Sequence, residues 1–226
     1  MQVGENFYVA IIGDIKKSKD LLERDLVQKK LKRLLNNINE QYALSIAAKF
    51  MITLGDEFQG LLFSGKEAFN IVEEIQRQMY PIQIRVGIGV GEITTEINPE
   101  MAIGADGPGY YMARRAIESL KQNEQKNKAQ IADIRIEFED NVNMYGDIFN
   151  SIFLLMTVIR NEWTERQRQI IWKYDTENCS QAECAKRLNI VQSNVQRALA
   201  GGNYYAYKEA RDSINKVLNE IGGVSV

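Results

Sequence analysis

Histidine is missing from the whole 226-residue chain, and that absence removes more chemistry than any other feature of the sequence. Ser-His-Asp and Cys-His nucleophiles in their usual forms are excluded, as are the imidazole ligands common in zinc and iron sites. Cysteine is scarce: Cys179 and Cys184 are too few for a disulfide framework and lack the second pair that a zinc site needs. Any metal must therefore be a hard cation on carboxylate oxygens. Long hydrophobic runs are also lacking, and Ile148 to Ile159 falls short of the roughly 20 residues of a membrane span. Met1 to Phe7 carries no basic stretch, so a signal peptide is not expected and a cytoplasmic location is. With 28 basic and 30 acidic residues the net charge is only −2, which announces neither a nucleic acid nor a membrane surface. Ten basic and eight acidic residues follow Leu155, so a small positive surplus sits in the last third.

What is present is an ordinary globular composition, 45% hydrophobic and 26% charged, on a chain long enough to bury a core without staples. Tyr8 to Ile12 is a continuous apolar, β-branched run and reads as a buried strand ending at Gly13-Asp14. Leu22, Leu26, Leu31, Leu34, Leu35 and Ile38 recur at helical spacing between Asp20 and Tyr42. Lys49–Leu54, Gly55-Asp56-Glu57 and Phe58–Phe63 read as strand, tight turn and strand. A helix is expected over Lys66–Met79, and a strand over Ile82–Val90 whose apolar residues alternate with Gln83, Arg85, Gly87 and Gly89. A loop through Gly104–Gly109 leads into a helix from Tyr110 to about Gln122, an exposed connection over Asn123–Lys128 and a strand over Ile131–Phe138. The order β-α-β-β-α-β-α-β implies an α+β, ferredoxin-like sheet covered by helices on one face. From Met144 the pattern is helical, so the expected units are residues 1–142 and 143–226, with the helix Ile148–Arg160 able to pack on either side.

Two acidic turns form the first constellation. Asp14 closes the first strand and Asp56 caps the hairpin; if these lie side by side, their carboxylates repel and favour a divalent cation between them. The turn Lys16-Lys17-Ser18 leads toward a helix, where backbone amides suit a phosphate. Together these read as a site for a metal-bound nucleoside triphosphate, against the plainer reading that Gly-Asp dipeptides simply mark turns.

Three ordered blocks then carry a resemblance: Gly13-Asp14-Ile15, Leu54-Gly55-Asp56-Glu57-Phe58 and Ile84 to Glu92. Continued by Ile103 to Asp106 and Tyr110 to Glu118, they resemble a class III nucleotide cyclase domain over roughly residues 7 to 138. The hairpin is also similar to that of diguanylate cyclases, with Leu54 in place of the first glycine, and the whole chain most resembles the SatD family. The resemblance implies Asp14, Asp56 and the Ile15 carbonyl as ligands of Mg²⁺ or Mn²⁺. It implies Asp106 near the base, Glu57 with Lys16, Lys17 and Ser18 at the nucleotide, and Arg114 or Arg115 as the catalytic arginine facing the phosphates. The family's asparagine before that arginine is Tyr110 or Tyr111 here, and its lysine before the second aspartate is Ile52. Losing such a transition-state donor costs 10²–10³-fold in rate, so binding without turnover is the expectation.

The second constellation lies in the tail. Thr164 with Gln167, and Ser180 with Glu183, have the spacing of capping boxes at two helix starts. Asn189-Ile190 forms a turn, and a further helix begins at Val191 or Gln192 and ends at Gly201-Gly202. Cys184, Ala185, Leu188, Ile190, Val195 and Leu199 are the positions a helix-turn-helix would bury, leaving Gln192, Ser193, Asn194, Gln196 and Arg197 outward for base edges and phosphates. The segment resembles sigma-factor region 4; the alternative is a helical bundle used for dimerisation or for packing on the first unit. Tyr204, Tyr205 and Tyr207 with Ile214, Val217, Leu218 and Ile221 could supply the seam of a homodimer. The expected function is a nucleotide- and metal-binding regulator that reads DNA, with an active nucleotide cyclase as its rival.

Overall fold

The apolar run at the start of the chain becomes the central strand of a five-stranded sheet. The computed structural model describes residues 7–126, 132–139 and 143–221. The expected strand start at Ile131, the boundary at Val142, and Asn127-Lys128 of the expected connection lie outside the described residues. Strand β1 (Phe7–Ile15) pairs antiparallel with β3 (Glu57–Leu62) on one side and β4 (Ile84–Glu92) on the other. Strand β2 (Ile46–Leu54) flanks β3, and β5 (Ile134–Phe138) runs parallel to β4, giving the order β2-β3-β1-β4-β5. The first four strands, with helices α1 (Arg24–Gln41) and α2 (Ala68–Met79), form the split β-α-β arrangement expected, and helix α3 (Pro108–Lys126) adds β5 at the edge.

Helices cover both faces of this sheet, not one. Val9, Ile11 and Ile15 of β1 pack with Leu31 and Leu35 of α1 and Ile71 and Ile75 of α2. The alternate residues Ala10 and Ile12 pack with Tyr110, Ala113 and Ile117 of α3. A strand covered twice must be apolar at every position, which is why β1 does not alternate. Glycines on β4 let α3 approach: a Cβ on Gly89 would run into the Gly109 carbonyl oxygen and the Ala113 amide, and one on Gly87 into the Ala113 carbonyl oxygen.

Each margin of the sheet is held by one asparagine. Asn39 of α1 accepts from the Phe50 amide at 2.7 Å and donates to its carbonyl at 2.9 Å. Asn150 of α4 (Asn143–Asn161) does the same to Ile136 of β5, at 2.8 and 3.0 Å. Phe149 and Phe153 of α4 stack toward Phe138 and Phe69, so this helix sides with the sheet.

Helices α5 (Glu165–Thr176), α6 (Gln181–Arg187), α7 (Gln192–Gly201) and α8 (Tyr204–Leu218) complete the chain. Both expected capping boxes form, Thr164 with Gln167 and Ser180 with Glu183. Cys184, Ala185, Val195 and Leu199 are buried between α6 and α7. Burial, with Cys179 adjacent, pushes the Cys184 thiol up to about 11, which keeps it unreactive. The helical segment is not walled off: Trp163, Ile171, Tyr207 and Leu218 share one apolar cluster with α2, α4 and the sheet. The Gly65 amide donates to the Ile221 carbonyl at 3.0 Å. The dimer seam expected on α8 is therefore spent within the chain, since Tyr204, Tyr207, Ile214, Leu218 and Ile221 are all buried there; Tyr205 alone of its tyrosines is exposed.

Candidate functional site

Asp14 ends β1 on the face covered by α3, opposite Glu57 of β3 and Arg85 of β4 in register. Two carboxylates side by side on one rung repel unless cations intervene. Here they do. Arg85 Nε lies 2.8 Å from Asp14 Oδ1, and Lys121 Nζ of α3 lies 2.7 Å from Oδ2. Asp14 is only 5% exposed, and this pairing is what lets a charged carboxylate sit there.

The pairing continues across the sheet end. Arg85 Nη1 reaches Glu124 at 2.9 Å, and Lys16 bridges Glu124 at 2.8 Å and Asp133 at 2.5 Å. Arg160 of α4 closes the series on Asp133 at 2.8 Å. Glu124 belongs to the last turns of α3, so Asn123 to Lys126, expected as an exposed connection, is helix held by ion pairs.

The remaining candidates divide by place. Asp56 lies in the β2–β3 turn beside left-handed Gly55, its carboxylate 4.0 Å from Arg24. Arg114 reaches toward β3, 3.8 Å from Glu57, whereas Arg115 reaches toward β5 and bonds Glu137 at 2.7 Å. The two arginines thus occupy opposite flanks of α3. Ile15 pairs with Ile84 in the ladder and is buried on the α1 and α2 face.

The expected helix start after Ser18 does not form. Lys17 is left-handed and exposed, Ser18 is buried, and a single 3₁₀ turn over Ser18–Asp20 intervenes before α1 begins at Arg24. The Lys16 amide is already given to the Gln83 carbonyl at 2.9 Å.

Asp106 is at the other end of the sheet, beside Thr94 just past the end of β4. Its carbonyl accepts from the Thr94 amide at 2.9 Å, and its carboxylate from the Tyr111 hydroxyl at 2.8 Å. It organises the loop before α3 and does not approach Asp14. Tyr110 is buried and donates to the Ala102 carbonyl at 3.3 Å.

The donor set does not fit a divalent cation as it stands. Both Asp14 oxygens are held by side-chain cations, and among the described residues no cluster of three or more His, Cys, Asp or Glu could hold an ion. Arg85 and Lys121 were not legible as site residues. Only the register, which sets Arg85 opposite Asp14, reveals the first, and only the docking of α3 reveals the second.

In the helical segment the turn between α6 and α7 has left-handed Asn189 and an Ile190 amide bonded to the Ala185 carbonyl at 3.0 Å. Gln192, Ser193, Gln196 and Arg197 of α7 are exposed, and Asn194 is half-buried. Arg197 Nε donates to the Ser193 carbonyl at 3.3 Å, and its guanidinium also bonds Asn194.

Residues 8–218, nearly the whole described chain, match the model of the SatD family. The chain belongs to the SatD family. No curated protein matches it. Among solved structures this SatD-family chain is similar to nucleotide cyclase domains. One is the monomeric guanylyl cyclase domain of the RhoGC fusion protein from the aquatic fungus Blastocladiella emersonii. It is 17% identical over 51% of this chain and 76% of that one, with a TM-score of 0.41. The guanylate cyclase domain of RhGC from Catenaria anguillulae, in complex with GTP, is 16% identical over 56% and 84%, at 0.38. A bacterial light-regulated adenylyl cyclase is 14% identical over 58% and 75%, at 0.41.

Proposed function

We propose that this SatD-family protein is a DNA-binding regulator whose cyclase-like sheet binds a nucleotide without turning it over. The observation that carries the reading is the state of Asp14, whose two oxygens are neutralised by Arg85 and Lys121. Fixed side-chain cations neutralise Asp14 without supplying a metal's Lewis acidity, so the reading needs no Mg²⁺ or Mn²⁺ resident at Asp14, Asp56 or Ile15. Lys121 is the freer of the two partners, its side chain 37% exposed. The phosphates of a nucleotide would compete with Asp14 for it, with Arg114 and Lys17 close to the same end of the sheet. The exposed Gln192, Ser193, Gln196 and Arg197 on a helix packed through Val195 and Leu199 support DNA as the second partner. A homodimer remains part of this reading only through a face other than α8. The exposed Tyr145, Ile148 and Leu155 of α4 are apolar side chains not used by the fold.

Phosphorus NMR of ATP and of GTP with Mg²⁺ and Mn²⁺, followed over hours with this protein, tests the first half. Shifted or broadened nucleotide lines without new signals are expected. New product signals would replace the reading by an active cyclase, and unchanged lines for both nucleotides would remove the nucleotide. For the second half, binding to a duplex followed by fluorescence anisotropy should weaken by tenfold or more between 50 and 200 mM salt. Arg197→Ala should weaken it further by about tenfold.

A further inference from the structure

A second site lies away from Asp14. A cavity of about 540 Å³ opens where the sheet meets the helical segment, with α2, the start of β4 and the end of α4 on one side and α5 and α8 on the other. That volume is in the range of small-molecule sites, roughly 300–1,000 Å³.

Among the described residues, two of its four arginines, Arg160 and Arg211, are paired with carboxylates, whereas the half-buried Arg77 and the buried Arg168 are not. Arg160 is held by Asp133 at 2.8 Å, and Arg211 by both oxygens of Asp175, at 2.5 and 2.8 Å. Arg168, on α5, has no carboxylate within 4.0 Å among the described residues, although it is only 7% exposed. Its Nη2 donates to the carbonyls of Arg160 at 2.8 Å and Trp163 at 3.4 Å, and its buried Nε has no hydrogen-bond partner. The guanidinium carbon sits 4.6 Å from the centre of the Tyr80 ring, 5.3 Å from that of Trp172 and 5.6 Å from that of Trp163. Rings and carbonyls spread a cation's charge, but they do not cancel it. A buried cation without an anion is costly to hold. Burial accordingly lowers the pKa of Arg168 from its ordinary value.

We infer that this cavity binds a small metabolite carrying an oxyanion, a carboxylate or a phosphate group, with Arg168 as its charge partner. Its Nε–H, which has no partner, is a free donor for either group, and the guanidinium supplies the positive charge. The volume exceeds what inorganic phosphate needs, so the ligand has a body, and the aromatic rings around Arg168 provide its apolar wall. Because the walls come from both parts of the chain, an occupant touches the sheet and the helical segment at once.

The chain's only two tryptophans, Trp163 and Trp172, both line the cavity, so their emission reports on it directly. Inorganic phosphate, AMP and citrate are titrated separately into the full chain at ionic strength fixed with sodium chloride. Tryptophan emission and Tm are followed together. At least one probe is expected to give a saturable change in emission and a rise in Tm, as binding to the folded state requires. Phosphate-bearing probes acting alone identify a phosphate ligand, and citrate acting alone a carboxylate. Arg168→Lys keeps the charge but loses the Nε–H donor and should weaken binding at least tenfold. Thr176→Glu, at an exposed position on the cavity rim, adds a like charge without touching the core and should do the same. If Arg168→Lys fails to fold, Thr176→Glu decides alone. No saturable response to any of the three probes would overturn the inference. So would a response that Thr176→Glu leaves at full strength, since the anion would then be bound elsewhere.

Discussion

Asp175 shows how one carboxylate can be set by its neighbours. Burial alone would raise its pKa, but the two-pronged Arg211 guanidinium and the Tyr204 hydroxyl, 2.6 Å away, outweigh burial and leave it below the ordinary value. A carboxyl that releases its proton more readily when folded contributes stability above the ordinary carboxylate range. That contribution is lost as pH falls below about 4, through the lowered value. Asp175→Asn is therefore expected to destabilise the protein by about 2 kcal/mol at pH 7. The gap to the parent should narrow as pH approaches 3, as urea denaturation at the two pH values would register. At this same scale only half of the candidate site is legible before folding. Asp14 stood out because it ends an apolar strand. Arg85 and Lys121 did not, since an arginine on an alternating strand and a lysine on a helix look like ordinary solvated positions until tertiary packing sets them against a carboxylate.

At the scale of elements, the contact of α3 with β4 decides the architecture. Gly87 and Gly89 replace side chains with backbone-to-backbone packing, and a single methyl group has nowhere to go. Gly89→Ala should cost about 3 kcal/mol, the upper end for overpacking, or abolish folding. Thermal melts of the variant against the parent would show a loss far beyond the glycine-to-alanine gain normal in a strand. Period and turn chemistry made the order of strands and helices readable, together with both capping boxes, because those signals are local. The face on which α3 lies was not readable from them. Alternating glycines predict close approach by something, but that α3 is what crosses them emerges only from the tertiary packing. The series of ion pairs at the sheet end depends on the same docking and was hidden for the same reason.

For the whole molecule, one apolar cluster runs from α1 and α2 through α4 to α8. The sheet and the helical segment should thus unfold together. Tryptophan emission, whose two reporters lie in the helical segment where it meets the sheet, and far-ultraviolet circular dichroism, which reports on all elements, are expected to give coincident urea transitions. Two separated transitions would mean that the shared cluster does not couple the two parts. The asparagines at the two sheet margins bear on a different matter, the way copies of this chain can meet. Asn39 and Asn150 occupy the outward amide and carbonyl groups of Phe50 and Ile136, where a neighbouring molecule would otherwise add a strand. Edge-to-edge recruitment, the route toward fibrils and swapped sheets, is hindered at these two positions. Contact between copies is thereby steered from backbone edges to side-chain surfaces.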